Sequence, residues 1–135
     1  MNNLLAQQGI TEHTCDSAGT SGFHEGQSAD QRMRAAAAQR GITITHRARP
    51  VREVDFNNFD YILVMDQSNA RDLRRFSLYK DNAHKVKFMA DYCQRQQAHE
   101  IPDPYYGGPE GFNHVLDLLT DAAQVILQRL AKGNL

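Results

Sequence analysis

Two cysteines, Cys15 and Cys93, are all the thiol this 135-residue chain has. They stand too far apart for a disulfide framework and lack the close-spaced pairs of a zinc site, so both read as free, packed thiols. An excess of one charge is also missing: 15 Lys and Arg stand against 16 Asp and Glu, a net of −1. That balance leaves no broad basic field, so no nucleic-acid partner is expected, and a small soluble partner or a local protein epitope fits better. Apolar runs such as 61–65 and 125–127 fall far short of the roughly 20 residues that cross a bilayer, so no membrane partner is expected either. Met1 to Ile10 has no basic leader followed by an apolar stretch, which favours a cytoplasmic location. His13, His24, His46, His84, His99 and His114 are scattered without ligand spacing, and no metal is expected. Gly19, Gly22 and Gly26 form neither a dinucleotide fingerprint nor a nucleotide P-loop, because no Gly-Lys-Ser or Gly-Lys-Thr follows; no cofactor is expected.

What the chain does have suits one compact domain, residues 1–135, with one core and one site. Met1 to Gln8, closed by Gly9, reads as barely two turns of helix. Thr14 to Ala18 reads as a short strand entering a Gly-rich loop, Gly19 to Gly26. Ser28 with Gln31 three residues on has the capping-box pattern, and the helix Arg32 to Arg40, with its run of four alanines, ends at Gly41. Ile42 to Arg52 reads as loop and Val54 to Asn58 as a helical turn. The apolar run between Asp60 and Asp66 suits a strand buried on both faces, hence a parallel sheet. Gln67 to Phe76 reads as a helix capped by Asp66 or Ser68, and Lys85 to Met89 as another strand. Phe112, Val115, Leu116, Leu119, Ala122, Ala123, Ile126 and Leu130 recur at helical steps and predict a long amphipathic helix covering one face of the sheet. Strands alternating with helices specify an α/β sandwich.

The segment richest in chemistry is Ile101-Pro102-Asp103-Pro104-Tyr105-Tyr106-Gly107-Gly108. Two prolines hold Asp103 in stiff, extended backbone. A general acid needs that stiffness, because its carboxyl must stay within hydrogen-bond reach of a leaving oxygen. Tyr105 and Tyr106 could wall such a site and stack on an aromatic substrate. The plain alternative is an ordinary Asp-initiated turn with two tyrosines packed on the helix that follows.

Four motifs in order shift the balance. Asp-Pro-Tyr-Tyr-Gly from Asp103, Asp16-Ser17-Ala18-Gly19-Thr20-Ser21-Gly22, His46-Arg47-Ala48-Arg49, and Asp55-Phe56 through Asp66 with Asn69 together resemble the low-molecular-weight protein tyrosine phosphatases. The resemblance implies a three-layer α/β sandwich with a parallel sheet of that family's type, and a hydrolase acting on a phosphotyrosine protein or small aryl phosphate through a phosphocysteine intermediate. It implies that Asp103 is the general acid and base, that Phe23 forms one wall of the substrate cleft with Tyr105 and Tyr106 opposite, and that Ser17 and His46 support the phosphate loop.

That loop itself, a cysteine, five residues, an arginine and then a serine or threonine, does not occur in these residues: Ser21 stands six after Cys15, and His99 six after Cys93. No nucleophile is therefore identified. The family's first strand is expected to be absent with the loop, and Met1 is expected to be an internal methionine of a longer protein. A sheet missing that strand should be marginal or aggregation-prone, and the chain should be inactive as it stands. Two other readings remain open: a non-catalytic binding or regulatory module that uses the remaining cleft, and a relative of arsenate reductase, although 69–91 lacks the further cysteines that activity needs. Oligomeric state and phosphorylation of Tyr105 or Tyr106 are not legible here.

Overall fold

The chain runs α1 (Asn2–Gln7), α2 (Gln31–Ala38), α3 (Asp55–Asn58), β1 (Ile62–Val64), α4 (Gln67–Leu73), α5 (Tyr79–Asn82), β2 (Val86–Phe88) and α6 (Pro109–Ala131). The computed structural model describes residues 1–21, 25–105, 108–133 and 135. β1 and β2 pair in parallel, Ile62 opposite Val86, Leu63 opposite Lys87 and Val64 opposite Phe88. The link between them is α4, α5 and a 3-10 turn at Ala83–Lys85, the helical crossover that parallel pairing requires.

Alternation along the strands sends side chains to two separate cores. Ile62, Val64, Val86 and Phe88 pack with Phe56, Ala70 and Leu73, supplied by α3 and α4. Leu63 and Met65 pack on the opposite side, against the cluster built by α6 and the 3-10 turn Met89–Tyr92. Helices thus cover both faces, which makes the three-layer α/β architecture expected from the sequence. The apolar run is less buried than predicted: Val64 is buried, whereas Ile62 and Leu63 are half-buried. The described sheet has two strands only, so each strand of it has an edge without a ladder.

Pro109 opens α6 at a first-turn position, where its missing N–H costs no helical hydrogen bond. Besides Phe112, Val115, Leu116, Ala122, Ala123 and Ile126, the helix buries Leu118, Val125 and Leu127, because it is gripped from more than one side. Ala36 and Ala37 of α2 pack on Phe112 and Leu116, their small side chains allowing close approach. Arg40 locks that contact by pairing with Asp117 at 2.8 Å and donating to the Asn113 carbonyl at 3.0 Å. Asp121, buried on α6, accepts from the backbone N–H groups of Gln94, Arg95 and Gln96, so an otherwise irregular segment has its donors satisfied. Among the described residues no helix is long and apolar enough to cross a membrane.

Two local expectations are corrected. Asp30, not Ser28, caps α2: its carboxylate accepts from Arg32 N at 2.8 Å, while Ser28 makes an isolated bridge to Arg47. The predicted strand Thr14 to Ala18 does not form; the segment has no ladder, and its pairing among the described residues is limited to the Gly19–Pro50 bridge. With no neighbouring strand among the described residues, its backbone instead leans on the 46–52 loop. Gly19 N donates to the Arg49 carbonyl at 2.8 Å and Val51 N to the Gly19 carbonyl at 2.9 Å. The Arg49 guanidinium then reaches Asp16 at 3.1 Å and forks onto Asp55 at 3.0 and 3.2 Å. Asp55 also accepts from Arg52 N at 2.8 Å. Burial pushes the Asp55 carboxyl up, but the hydrogen bonds from Arg49 and the Arg52 N–H outweigh it and hold the group below the usual carboxylate range.

Phe56 is fully buried, its ring 5.6 Å from that of Phe76 and 6.4 Å from that of Tyr79. Phe56→Ala should cost about 3–5 kcal/mol, read as a lower urea midpoint at unchanged slope. Asp55→Asn should cost about 1.5–3 kcal/mol at neutral pH, the range for hydrogen bonds to a charged group. Because the folded-state value is depressed, Asp55 stabilises fully above the unfolded value of about 3.9 and its contribution is lost as pH falls through the folded value. Denaturant titrations between about pH 7 and about pH 2 should therefore show the variant losing less stability on acidification than the parent.

Candidate active site

The Asp103 loop starts where β1 ends. Ile101 is buried and donates its N–H to the Met65 carbonyl at 2.8 Å, and Glu100 accepts from Gln67 N at the start of α4 at 2.6 Å. Asp66 caps the same helix through Asn69 N at 2.8 Å, while the Asn69 side chain accepts from Met65 N at 3.1 Å. The loop thus leaves the carboxyl end of the parallel strands, the end at which open α/β sheets bind ligands. Beyond it, the Asp103 carboxylate accepts from Tyr105 N at 3.0 Å, the side chain closing a turn on its own backbone. Asp103 is exposed and Tyr105 is 56% exposed, so a large aromatic surface and a carboxylate face solvent side by side.

Arg32, in the first turn of α2, holds this loop from beneath. It donates to the Tyr105 carbonyl at 2.9 Å, and its guanidinium lies 5.5 Å from the centre of the Tyr105 ring and 4.8 Å from that of Phe112. Asp30 fixes the guanidinium as well, accepting from its Nε at 3.2 Å and its Nη2 at 3.1 Å. Hydrogen bonding to Arg32 in turn holds the Asp30 carboxyl below its ordinary value.

Ser17 and His46 meet at a second place, a cleft of about 280 Å³ also lined by Ala18, Gly19, Ala29 and Ile44. Asp16 links the two: its Oδ1 accepts from Ser17 N at 2.8 Å and lies 3.6 Å from His46 Nδ1, while its Oδ2 is held by Arg49. Asp103 and Tyr105 are not among the residues lining this cleft. The structure therefore brings the expected acid together with one expected wall residue, and the two expected support residues together with each other. Phe23 and Tyr106, expected to wall the substrate cleft, lie outside the described residues.

Neither thiol is set up as a nucleophile. Cys93 is half-buried and its Sγ donates to the Leu118 carbonyl at 3.4 Å; burial first, and the Asp121 charge second, push its thiol up, away from the thiolate that attack requires. Cys15 is exposed and lies outside any helix. Among the described residues no group of three or more His, Cys, Asp or Glu could hold a metal ion.

Sequence reasoning passed over Arg32, Arg49 and Asp55. Arg49 and Asp55 stood inside motifs already singled out, and their six-residue separation across a loop was the available signal. For Arg32 the signal was the Asp two residues earlier, at a helix start.

Residues 1–134 match the family described as low molecular weight phosphotyrosine protein phosphatase. A Synechocystis protein named for the low-molecular-weight protein-tyrosine-phosphatases is 44% identical over 133 residues, spanning 98% of this chain and 85% of that protein. The human low molecular weight phosphotyrosine protein phosphatase is 37% identical over 93% of this chain and 80% of its own length. Among solved structures, a protein tyrosine phosphatase of Entamoeba histolytica superposes with a TM-score of 0.93 at 40% identity, covering 99% of this chain and 86% of that one. A Drosophila arginine phosphatase superposes at 0.87 with 28% identity, covering 96% and 84%. The chain belongs to the low-molecular-weight protein tyrosine phosphatase family.

Proposed function

We propose that residues 1–135 are a single phosphotyrosine-phosphatase-like domain carrying the leaving-group side of the active site, with the nucleophilic side not among them. Asp103 is the general acid that protonates the departing tyrosyl oxygen and then the base that activates water. A phenolate leaves with a pKa near 10, so at neutral pH a proton donor lowers its barrier substantially. Tyr105, with Phe23 and Tyr106, forms the walls that a flat aryl phosphate enters, and Ser17 and His46 support the phosphate loop. The observation that carries this reading is the Asp103 carboxylate, fixed by Tyr105 N at 3.0 Å in a loop that begins on the end of β1.

The other side of the chemistry needs a thiolate, backbone N–H groups at a helix start for the equatorial oxygens, and an arginine fork gripping two of them. The cysteine-to-arginine spacing that would supply these does not occur in the 135 residues. Asp103 cannot substitute, since a proton donor without a nucleophile leaves the phosphorus–oxygen bond with nothing to displace it.

The acid role is tested by fusing the family's phosphate loop, with its flanking strand and helix, ahead of Met1. In that protein Asp103→Asn should lower kcat/KM, which reports the steps up to departure of the phenol, on a phosphotyrosine peptide by about 10²–10⁴-fold. It should lower kcat/KM far less on an aryl phosphate with a strongly acidic phenol, which departs without a proton. Equal losses of kcat/KM on both substrates would show that Asp103 does not protonate the leaving group. A phosphoarginine peptide belongs in the same assay, because one relative is an arginine phosphatase; Tyr105 as an aromatic wall predicts that phosphotyrosine is preferred.

A further inference from the structure

We propose that Arg32 is the positioning residue of the acid loop: it fixes the Tyr105 peptide and ring, and through them the direction in which Asp103 presents its carboxyl. The inference deepens the general-acid reading of Asp103 and rests on it for its catalytic meaning. Tyr105 is the link, because its carbonyl accepts from Arg32 at 2.9 Å while its own N–H donates to Asp103 at 3.0 Å. A shift of Arg32 therefore moves the donor that orients the carboxylate.

The guanidinium suits this task. Its planar fork takes both oxygens of Asp30, and Asp30 is itself fixed as the cap of α2. Its face lies over Tyr105 at 5.5 Å and over Phe112 at 4.8 Å, within cation–π range. Phe112 is 2% exposed and belongs to the core shared by α2 and α6. Arg32 thus refers the exposed Tyr105 to two rigid bodies, the start of α2 and the buried first turns of α6. Asp103 is stiffened along the chain by Pro102 and Pro104, but those prolines cannot set its height above the helices; Arg32 does. Lysine is a poor replacement, since a point charge on a flexible stem cannot fork onto Asp30, stack on two rings and reach the carbonyl at once.

The test is amide NMR on the ¹⁵N-labelled 135-residue chain, comparing the parent with Arg32→Ala and Arg32→Lys, and with Arg34→Ala as a control on the same helix. In the parent, removing the carboxylate with Asp103→Asn should move the Tyr105 amide resonance, because that N–H donates to it. In the Arg32→Ala background the same change should move it half as far or less, and the Tyr105 N–H of Arg32→Ala should exchange about tenfold faster. Arg32→Lys should recover only part of both, and Arg34→Ala should match the parent. The Val115 and Ile126 amides report whether α6 remains folded. A parent-like response to Asp103→Asn and parent-like exchange of Tyr105 in folded Arg32→Ala would overturn the proposal; should that variant unfold, parent-like behaviour in Arg32→Lys would overturn it equally. These amides report coupling whether or not Asp103 is a catalyst, so failure here is separable from failure of the leaving-group test.

Discussion

The guanidinium of Arg49, set between Asp16 and Asp55, is the interaction on which the arrangement at one end of the molecule depends. Among the described residues the segment around Ser17 has no strand ladder, and the Gly19–Pro50 bridge, the Asp16–His46 contact and this side chain help to hold it. The pair with Asp55 is three-quarters or more shielded on both sides, at 22% and 13% exposure, whereas Asp16 is 40% exposed. Shielding weakens solvent competition, so the inner half exceeds the fraction of a kcal/mol typical of surface pairs, while the outer half behaves more like one. Asp55 adds a second consequence: it opens α3, and α3 drives Phe56 into the core against Phe76 and Tyr79. One arginine therefore connects the polar cleft of Ser17 and His46 to the hydrophobic layer behind the sheet.

The Asp103 loop is anchored independently. Its beginning is tied to β1 and α4 through Ile101 and Glu100, and its end to α2 and α6 through Arg32 and Phe112. Between these anchors the carboxylate and the Tyr105 ring remain open to solvent, which a group that meets a substrate must be. Neither anchor set draws on the Arg49 network, so the Asp103 loop and the cleft of Ser17 and His46 are held by different contacts.

Much of this was legible in the sequence where local chemistry decides the outcome. Gly9 and Gly41 end helices with φ of +67° and +76°, values that glycine adopts freely. The periodic apolar positions from Phe112 to Leu130 gave the long helix to within a turn. Asp103 between two prolines marked the loop, and the order of motifs pointed to the family. What was not legible depended on contacts distant in sequence. Thr14 to Ala18 has strand character, but a strand needs a partner, and pairing is a property of the neighbour as much as of the segment. Ser28 and Gln31 satisfied the capping-box pattern, yet Asp30 lay two residues before a backbone N–H it could reach and competed successfully. Leu118, Val125 and Leu127 looked peripheral on a single-faced helix and are buried because α6 is packed from several sides. Arg32 meets Tyr105 across 73 residues, a separation that no local pattern encodes.

The most direct measurement is inorganic phosphate release from a phosphotyrosine peptide incubated with the 135-residue chain, run beside Cys15→Ser and Cys93→Ser variants. The proposed acid loop without a nucleophile predicts no release above the buffer control in any of the three. Release by the parent chain that disappears in one cysteine variant would contradict the account, because it would place a working nucleophile on a thiol that neither spacing nor environment marks as one.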